Sequence, residues 1–255
     1  MAWMGHLPAL ATPQLRNALV ICFGTGQTAH AVRQHRPERL YVVDISRAVF
    51  DAAPFFYSNH GVLDDPVVHA VVMDGRAFLR RATDLRFDLV TLEPMPPNFA
   101  GVNNLYSHEF YTLVHSRLTE TGVAAQWLPV HLLAPSHMKS IVASFASVFP
   151  HTRVWIEPEL GTGILVGATR PWTLRPSGVP LPLAARDIES QFLLDSEAVA
   201  ALAADGERVT DDNQLLSYGP GRFARGGGPR WWERLSESNR AILQTYAGVE
   251  VDADD

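Results

Sequence analysis

Cysteine, lysine and long apolar runs are all scarce in this sequence of 255 residues, and each scarcity excludes something. A single cysteine, Cys22, rules out an internal disulfide; within an apolar run read as a central strand, it is expected to be a small core residue rather than a nucleophile. Lys139 is the one lysine, every other basic side chain apart from histidine being arginine, which reflects composition rather than function. No run approaches the roughly 18 consecutive apolar residues of a membrane span, and no charged start precedes a long apolar signal core. Direct membrane insertion is therefore not expected, and the expected location is cytoplasmic. Excess positive charge is missing too: the net charge is −6, which disfavours nucleic acid or an anionic membrane as partner, since either needs a basic face. His108 and His131 lack metal-ligand companions at convincing spacing and read as surface or loop residues, and no metal site is expected. What remains is an ordinary globular composition, 47% hydrophobic, enough to bury a core in one large domain or a domain with an appendage.

What is present begins with the stretch 17–44. An apolar run, Ala18-Leu-Val-Ile-Cys-Phe23, breaks into Gly24-Thr-Gly26-Gln-Thr28, and a second run, Leu40-Tyr-Val-Val43, ends on Asp44. That order reads strand, glycine turn, helix, strand, acid, the way a doubly wound α/β sheet builds a nucleoside site at its switch point. The glycines let backbone approach a ligand, and a carboxylate at Asp44 can accept from two ribose hydroxyls. The glycine signal alone is weak, because Cys22 and Ala29 stand where fuller fingerprints carry glycine, and a turn serving only tight packing would look similar.

Strand and helix signals then alternate. A helix is expected over 46–57 with Ser46 as N-cap, a strand over 67–73 ending at Asp74-Gly75, a short helix around 77–79, and a strand over 87–92 delivering Glu93 and the rigid Pro94-Met-Pro-Pro97. Helical spacing over 105–118, a strand over 123–128, a helix over 135–149 and a closing antiparallel pair around 154–156 and 164–166 follow. The economical assembly is a Rossmann-like α/β domain over residues 1–170, with a mostly parallel sheet of seven strands. From 171 the texture changes to prolines and short apolar pieces. A helix near 184–204, a Gly-rich stretch over 219–228 with Gly226-Gly-Gly228 as flexible connector, and a last helix over 231–246 are read as an appendage, 171–255, packed on the same domain. Three acids, Asp44, Asp74 and Glu93, thus fall at the carboxyl ends of successive strands, which in an open α/β sheet share one crevice.

These residues resemble a family. Leu19-Val-Ile-Cys-Phe-Gly-Thr-Gly-Gln-Thr28, Tyr41-Val-Val-Asp44, Leu63-Asp-Asp-Pro66, Met73-Asp-Gly-Arg-Ala-Phe-Leu79, Phe87-Asp-Leu-Val90 and Leu105-Tyr-Ser-His-Glu-Phe-Tyr111 look like the spermidine synthase (polyamine aminopropyltransferase) family, on the class I S-adenosylmethionine-dependent methyltransferase fold. Glu93-Pro-Met-Pro-Pro97, Ala125-Gln-Trp-Leu-Pro129 and Thr210-Asp-Asp-Asn213 look closer to the spermidine synthase-like domains of transporter-fused bacterial proteins. The resemblance covers roughly residues 4–218. It implies a transferase using S-adenosylmethionine or its decarboxylated form, with S-adenosylhomocysteine or methylthioadenosine as product. It places Gly24, Thr25, Gly26, Gln27, Asp44, Ile45, Asp74 and Gly75 on the cofactor, with Asp44 on the ribose and Asp74 on the adenine amino group. Glu93 would serve the attacking amine, and Tyr106 and Glu109 would line the acceptor side, although helix packing is an equal reading of Tyr106. Gln126 and Trp127 could wall the pocket, with core packing the safer reading of Trp127.

Three departures limit the likeness. Pro96 stands where the family carries a second acid that helps bind the polyamine, the family's N-terminal β-rich domain and Tyr-His pair would precede this chain's start, and Cys22 replaces a cofactor-loop glycine. The leading expectation is therefore aminopropyl transfer to a small amine, with a homodimer as the assembly considered. A methyltransferase or other sulfonium-using enzyme with an unrelated acceptor, and a non-catalytic ligand-binding domain, stand as alternatives.

Overall fold

A computed structural model describes residues 2–97, 99, 101–156, 162–179, 181, 188, 190–218 and 230–248. It divides into two compact units whose segments interleave along the chain: Met1–Pro94, Leu113–Gln126 and Ala168–Ile188 in the first, Met95–Thr112, Trp127–Gly167 and Glu189–Asp255 in the second.

The first unit holds α1 (Trp3–Ala11), β1 (Asn17–Ile21), α2 (Gln27–Gln34), β2 (Arg39–Asp44), α3 (Arg47–Asp51), β3 (Val68–Val72), α4 (Gly75–Arg81), β4 (Phe87–Leu92) and, up to Gln126, β5 (Leu118–Leu128). Its strands run β3-β2-β1-β4-β5, and every pairing is parallel. Ala18 is in register with both Leu40 and Leu89, so β1 is central, and all six residues of β4 are buried. Burial on both faces is why β1 and β4 appear in sequence as nearly continuous apolar runs. Asp88 is the charged residue of β4: Oδ2 accepts from the backbone N–H groups of Arg16 and Asn17 at 2.9 and 3.0 Å, and Oδ1 accepts from the Thr119 hydroxyl at 3.1 Å. A buried carboxylate satisfied in this way ties the start of β1 to β4.

Helix α1 has no counterpart among the sequence expectations. All nine of its residues are buried, so it lacks the polar face by which an amphipathic helix is recognised. Pro8 within it has no N–H to offer the carbonyl of Met4, and the Thr91 hydroxyl supplies the missing donor at 2.8 Å.

The second unit contains β6 (His151–Ile156), β7 (Gly163–Ala168, to Gly167) and β8 (Phe192–Leu194) in the order β7-β6-β8, with α6 (Pro135–Ala146), α7 (Ser196–Ala204), α8 (Leu215–Tyr218) and α9 (Trp231–Tyr246). Helix α5 (His108–Arg117) begins in this unit and ends in the first. The buried Asn239 of α9 donates to the carbonyls of Val130 and Leu133 at 2.7 and 2.8 Å, which docks the helix through its side chain.

Several expectations are corrected. Among the described residues there are eight strands, not seven, because β8 lies inside the helix expected over 184–204 and pairs antiparallel with β6 through Trp155–Phe192 and Val154–Leu194. Asp195 accepts from the N–H groups of Glu197 and Ala198 and so starts α7 afresh after the strand. Residues 182–187, the Gly226-Gly-Gly228 connector and the rest of 219–229 lie outside the described residues. The helix expected over 46–57 ends at Asp51 and gives way to 3₁₀ turns at Ala53–Phe55 and Tyr57–Asn59, where Pro54 cannot continue an α-helical ladder. Cys22 lies just beyond β1 rather than within it, at φ +71°, and is half-buried. Among the described residues no helix is long and apolar enough to cross a membrane.

Candidate cofactor and active site

The site is assembled at the carboxyl ends of β1, β2, β3 and β4 in the first unit. After Ile21 the chain adopts left-handed backbone at Cys22, Gly24 (φ +53°) and Gly26 (φ +83°), then enters α2 with Gly26 as its N-cap. Gly26 is required twice over: besides its φ, a Cβ there would come within 2.4 Å of the Phe23 ring and 2.7 Å of the Asn59 Cβ. Gly24 differs, since nothing lies within 4 Å of where its Cβ would be. Its left-handed backbone faces open space, leaving peptide groups that a ligand can approach. Thr25 beside it is exposed, and Gln27 is half-buried.

Asp44 is the last residue of β2. Its Oδ2 accepts from the Phe23 N–H and its Oδ1 from the Ser46 N–H, both at 2.9 Å, so the carboxylate is oriented by backbone on either side. Each carboxylate oxygen has a second acceptor direction, which is what a pair of vicinal hydroxyls requires. Ile45, next in sequence, is 73% exposed, an unusual position for an aliphatic side chain. Asp74 follows β3 and caps α4, its Oδ1 accepting from the Ala77 N–H at 2.8 Å. Gly75 brings α4 onto β1, because a Cβ there would meet Ile21 Cγ2 at 2.4 Å.

Glu93 follows β4, with its N–H directed to the Ile21 carbonyl at 3.4 Å, and its Oε2 accepts from the buried Thr28 hydroxyl at 3.2 Å. The three acids make one electronegative locus. The Cys22 thiol is pushed up to about 12, first by burial and then by the carboxylates of Asp44, Glu93 and Asp74. Cys22 therefore stays protonated at neutral pH, the opposite of an activated nucleophile.

Two supporting residues escaped the sequence reading. Asn59 is buried, donates through Nδ2 to the carbonyls of Thr25 (3.2 Å) and Ala53 (2.8 Å), and accepts through Oδ1 from the Gly61 N–H (2.8 Å). The signal available was an Asn-His-Gly sequence, and His60 and Gly61 indeed take left-handed backbone. Thr28 is the second, through its link to Glu93.

Tyr106 and Glu109 belong to the second unit. Tyr106 is fully buried, while Glu109 in the first turn of α5 accepts from the Asp211 N–H at 3.1 Å. Asp211 in turn accepts from the Ser107 hydroxyl at 2.7 Å, and the His108 N–H donates to the Val209 carbonyl at 2.8 Å, so 209–211 is laced to the start of α5. Gln126 is fully buried, and the Trp127 indole N–H donates to Thr162 at 2.6 Å. The His108 ring pairs with the Ser147 hydroxyl at 2.9 Å, and burial lowers the pKa of His131. Among the described residues no group of three or more His, Cys, Asp or Glu side chains could hold a metal ion.

Comparison with known proteins shows the family and the fold. The model of the spermine/spermidine synthase domain matches residues 2–164. A polyamine aminopropyltransferase of Nitrosomonas europaea is 30% identical over 198 residues, covering 74% of this chain; the chain spans 58% of that relative's length. Among solved structures, spermidine synthase from Thermotoga maritima superposes with a TM-score of 0.56 at 20% identity, over 88% of this chain and 72% of that one. Human methyltransferase-like protein 13 in complex with SAH gives 0.55 at 19% identity, over 84% and 96%. Both likenesses establish the class I methyltransferase-type fold.

Proposed function

The chain belongs to the spermine/spermidine synthase domain family, and on that premise we propose that it is a transferase that alkylates a small amine, by aminopropyl transfer from decarboxylated S-adenosylmethionine. The observation carrying this reading is the convergence of Gly24, Asp44, Asp74 and Glu93 at the ends of four adjacent parallel strands, with the carboxylates close enough to act together on Cys22. The fit to a nucleoside sulfonium rests on the open left-handed backbone at Gly24 and on the pre-oriented Asp44 carboxylate. Asp44 would hold the ribose hydroxyls and Asp74 the adenine amino group. Thr25, Gly26 and Gln27 would line the remainder of the nucleoside, with Gly75 keeping α4 close and Ile45 offering apolar surface.

When bound, the sulfonium supplies an electrophilic carbon beside a ready thioether leaving group. The protein's remaining task is to align an amine and take up its proton. Glu93, at the end of β4, would take up that proton. With Pro96 in place of a second acid, the acceptor should carry fewer positive charges than a diamine. Incubating the purified chain with each sulfonium and a panel of amines, followed by mass spectrometry, tests the proposal. An aminopropylated product that disappears in Glu93→Gln is expected; a methylated product would transfer the reading to S-adenosylmethionine, and no product from any pair would overturn it.

A further inference from the structure

We propose that Thr28 is a positioning residue that holds the Glu93 carboxylate in its working orientation and couples it to the glycine turn. This rests on the reading of Glu93 given above. Thr28 sits in the first turn of α2, two residues after Gly26, and is 5% exposed. A threonine in a helix commonly directs its hydroxyl to a carbonyl of its own preceding turn. Here the hydroxyl reaches across 65 positions of sequence to Glu93 Oε2 at 3.2 Å.

The geometry has a chemical consequence. Glutamate has one more rotatable bond than aspartate, so a glutamate at the end of β4 sweeps a larger volume unless one oxygen is held. The Glu93 N–H, directed to Ile21, places the backbone, and Thr28 adds a constraint at the far end of the side chain. The branched Cβ of Thr28 limits its own rotamers, so the donor is itself stiff. Because Thr28 lies on the helix that the glycine turn launches, any ligand that settles the turn also settles the acid. Orientation then passes from the cofactor loop to the group that receives the proton through one hydrogen bond.

Thr28→Val keeps the shape and removes the hydroxyl, whereas Thr28→Ser keeps the hydroxyl and removes the methyl. In turnover, Thr28→Val should lower kcat by roughly 10–100-fold, the range expected when a reacting group is misplaced by about an ångström. The KM for amine, the cofactor Kd and the melting temperature should change little, and Thr28→Ser should recover most of kcat. In crystals, Glu93 should leave its rotamer in Thr28→Val and keep it in Thr28→Ser. Equal kcat in wild type and Thr28→Val, or an unmoved Glu93 in the Thr28→Val structure, would overturn the inference. A wild-type chain inert with every sulfonium and amine defeats the functional proposal separately, and the crystallographic comparison still decides whether Thr28 positions Glu93.

Discussion

Asn59 donates its side-chain amide to the carbonyl of Thr25 at 3.2 Å, so the turn after α3 buttresses the glycine loop from 34 residues away. The same amide group also bonds Ala53, and the side-chain oxygen takes the Gly61 N–H. Asn59→Ala would leave the buried Ala53 carbonyl without this donor and release Thr25 and Gly61. A loss of about 1–3 kcal/mol in unfolding free energy is expected. Urea denaturation measures it, and cofactor affinity measured by calorimetry should fall alongside, because Thr25 borders Gly24 and Gly26.

Asp44→Ala should weaken an S-adenosylmethionine-type nucleoside by roughly 1–3 kcal/mol, the scale for losing hydrogen bonds to a charged group. The variant also frees the N–H groups of Phe23 and Ser46, so Asp44→Asn is the companion. Its side-chain oxygen can serve only one of the two amides. Calorimetry with methylthioadenosine and both sulfoniums decides; unchanged affinity in both variants removes Asp44 from the cofactor site.

Glu93→Gln should retain shape and cofactor affinity while lowering turnover by roughly 10²–10⁴-fold if Glu93 acts as general base. A carboxylate that only braced the proline segment 94–97 would show lost thermal stability without a specific kinetic effect. Measuring both in one variant separates the roles, and an active, stable protein would take Glu93 out of the mechanism.

Putrescine should be a poor acceptor. Pro96 provides no carboxylate for a second ammonium, and a buried ammonium without a partner carries a desolvation cost that one acid does not offset. Competition between putrescine and monoamines of similar length, read as relative kcat/KM, should favour the monoamines. Efficient spermidine formation by this chain would show the argument wrong.

Acid should destabilise the fold through a histidine pair that sequence reading did not single out. The His6 and His35 rings meet at 3.0 Å between Nδ1 and Nε2. Burial and then His35 and His30 lower His6 from the ordinary 6.5 to about 4, while burial and then Arg175 lower His35 to about 4. Both are bases with depressed values, so the native state favours the neutral rings. Their contribution is complete above pH 6.5 and is lost progressively as pH falls toward about 4. For the buried His6 the swing is about 3 kcal/mol. Urea midpoints across this window should drop more steeply in wild type than in His6→Gln, and parallel curves would refute the assignment.

Much of the candidate nucleoside site was legible because its signals are local. Gly24 and Gly26 stand between two apolar runs, and Asp44, Asp74 and Glu93 each close such a run, so their places at strand ends could be read from neighbours within a few residues. The residues expected on the acceptor side were less legible. Tyr106 lies in the core, and Glu109 bonds the Asp211 N–H about a hundred positions away. Cys22 was placed in a strand because its side chain suits one, but its positive φ is a backbone property that residue type does not announce.

By itself the sequence determined the alternation of parallel strands and helices, since a strand buried on both faces must be apolar throughout and a tight turn at positive φ favours glycine. Tertiary structure alone decided the features that depend on partners distant in sequence. Helix α1 has no polar face, and the carbonyl freed by Pro8 is satisfied by Thr91; β8 forms because β6 offers an edge; Asn59 reaches Thr25, and Thr28 reaches Glu93. A hydrogen bond needs two groups at about 3 Å, and no local pattern encodes which distant residue the folded chain will bring there.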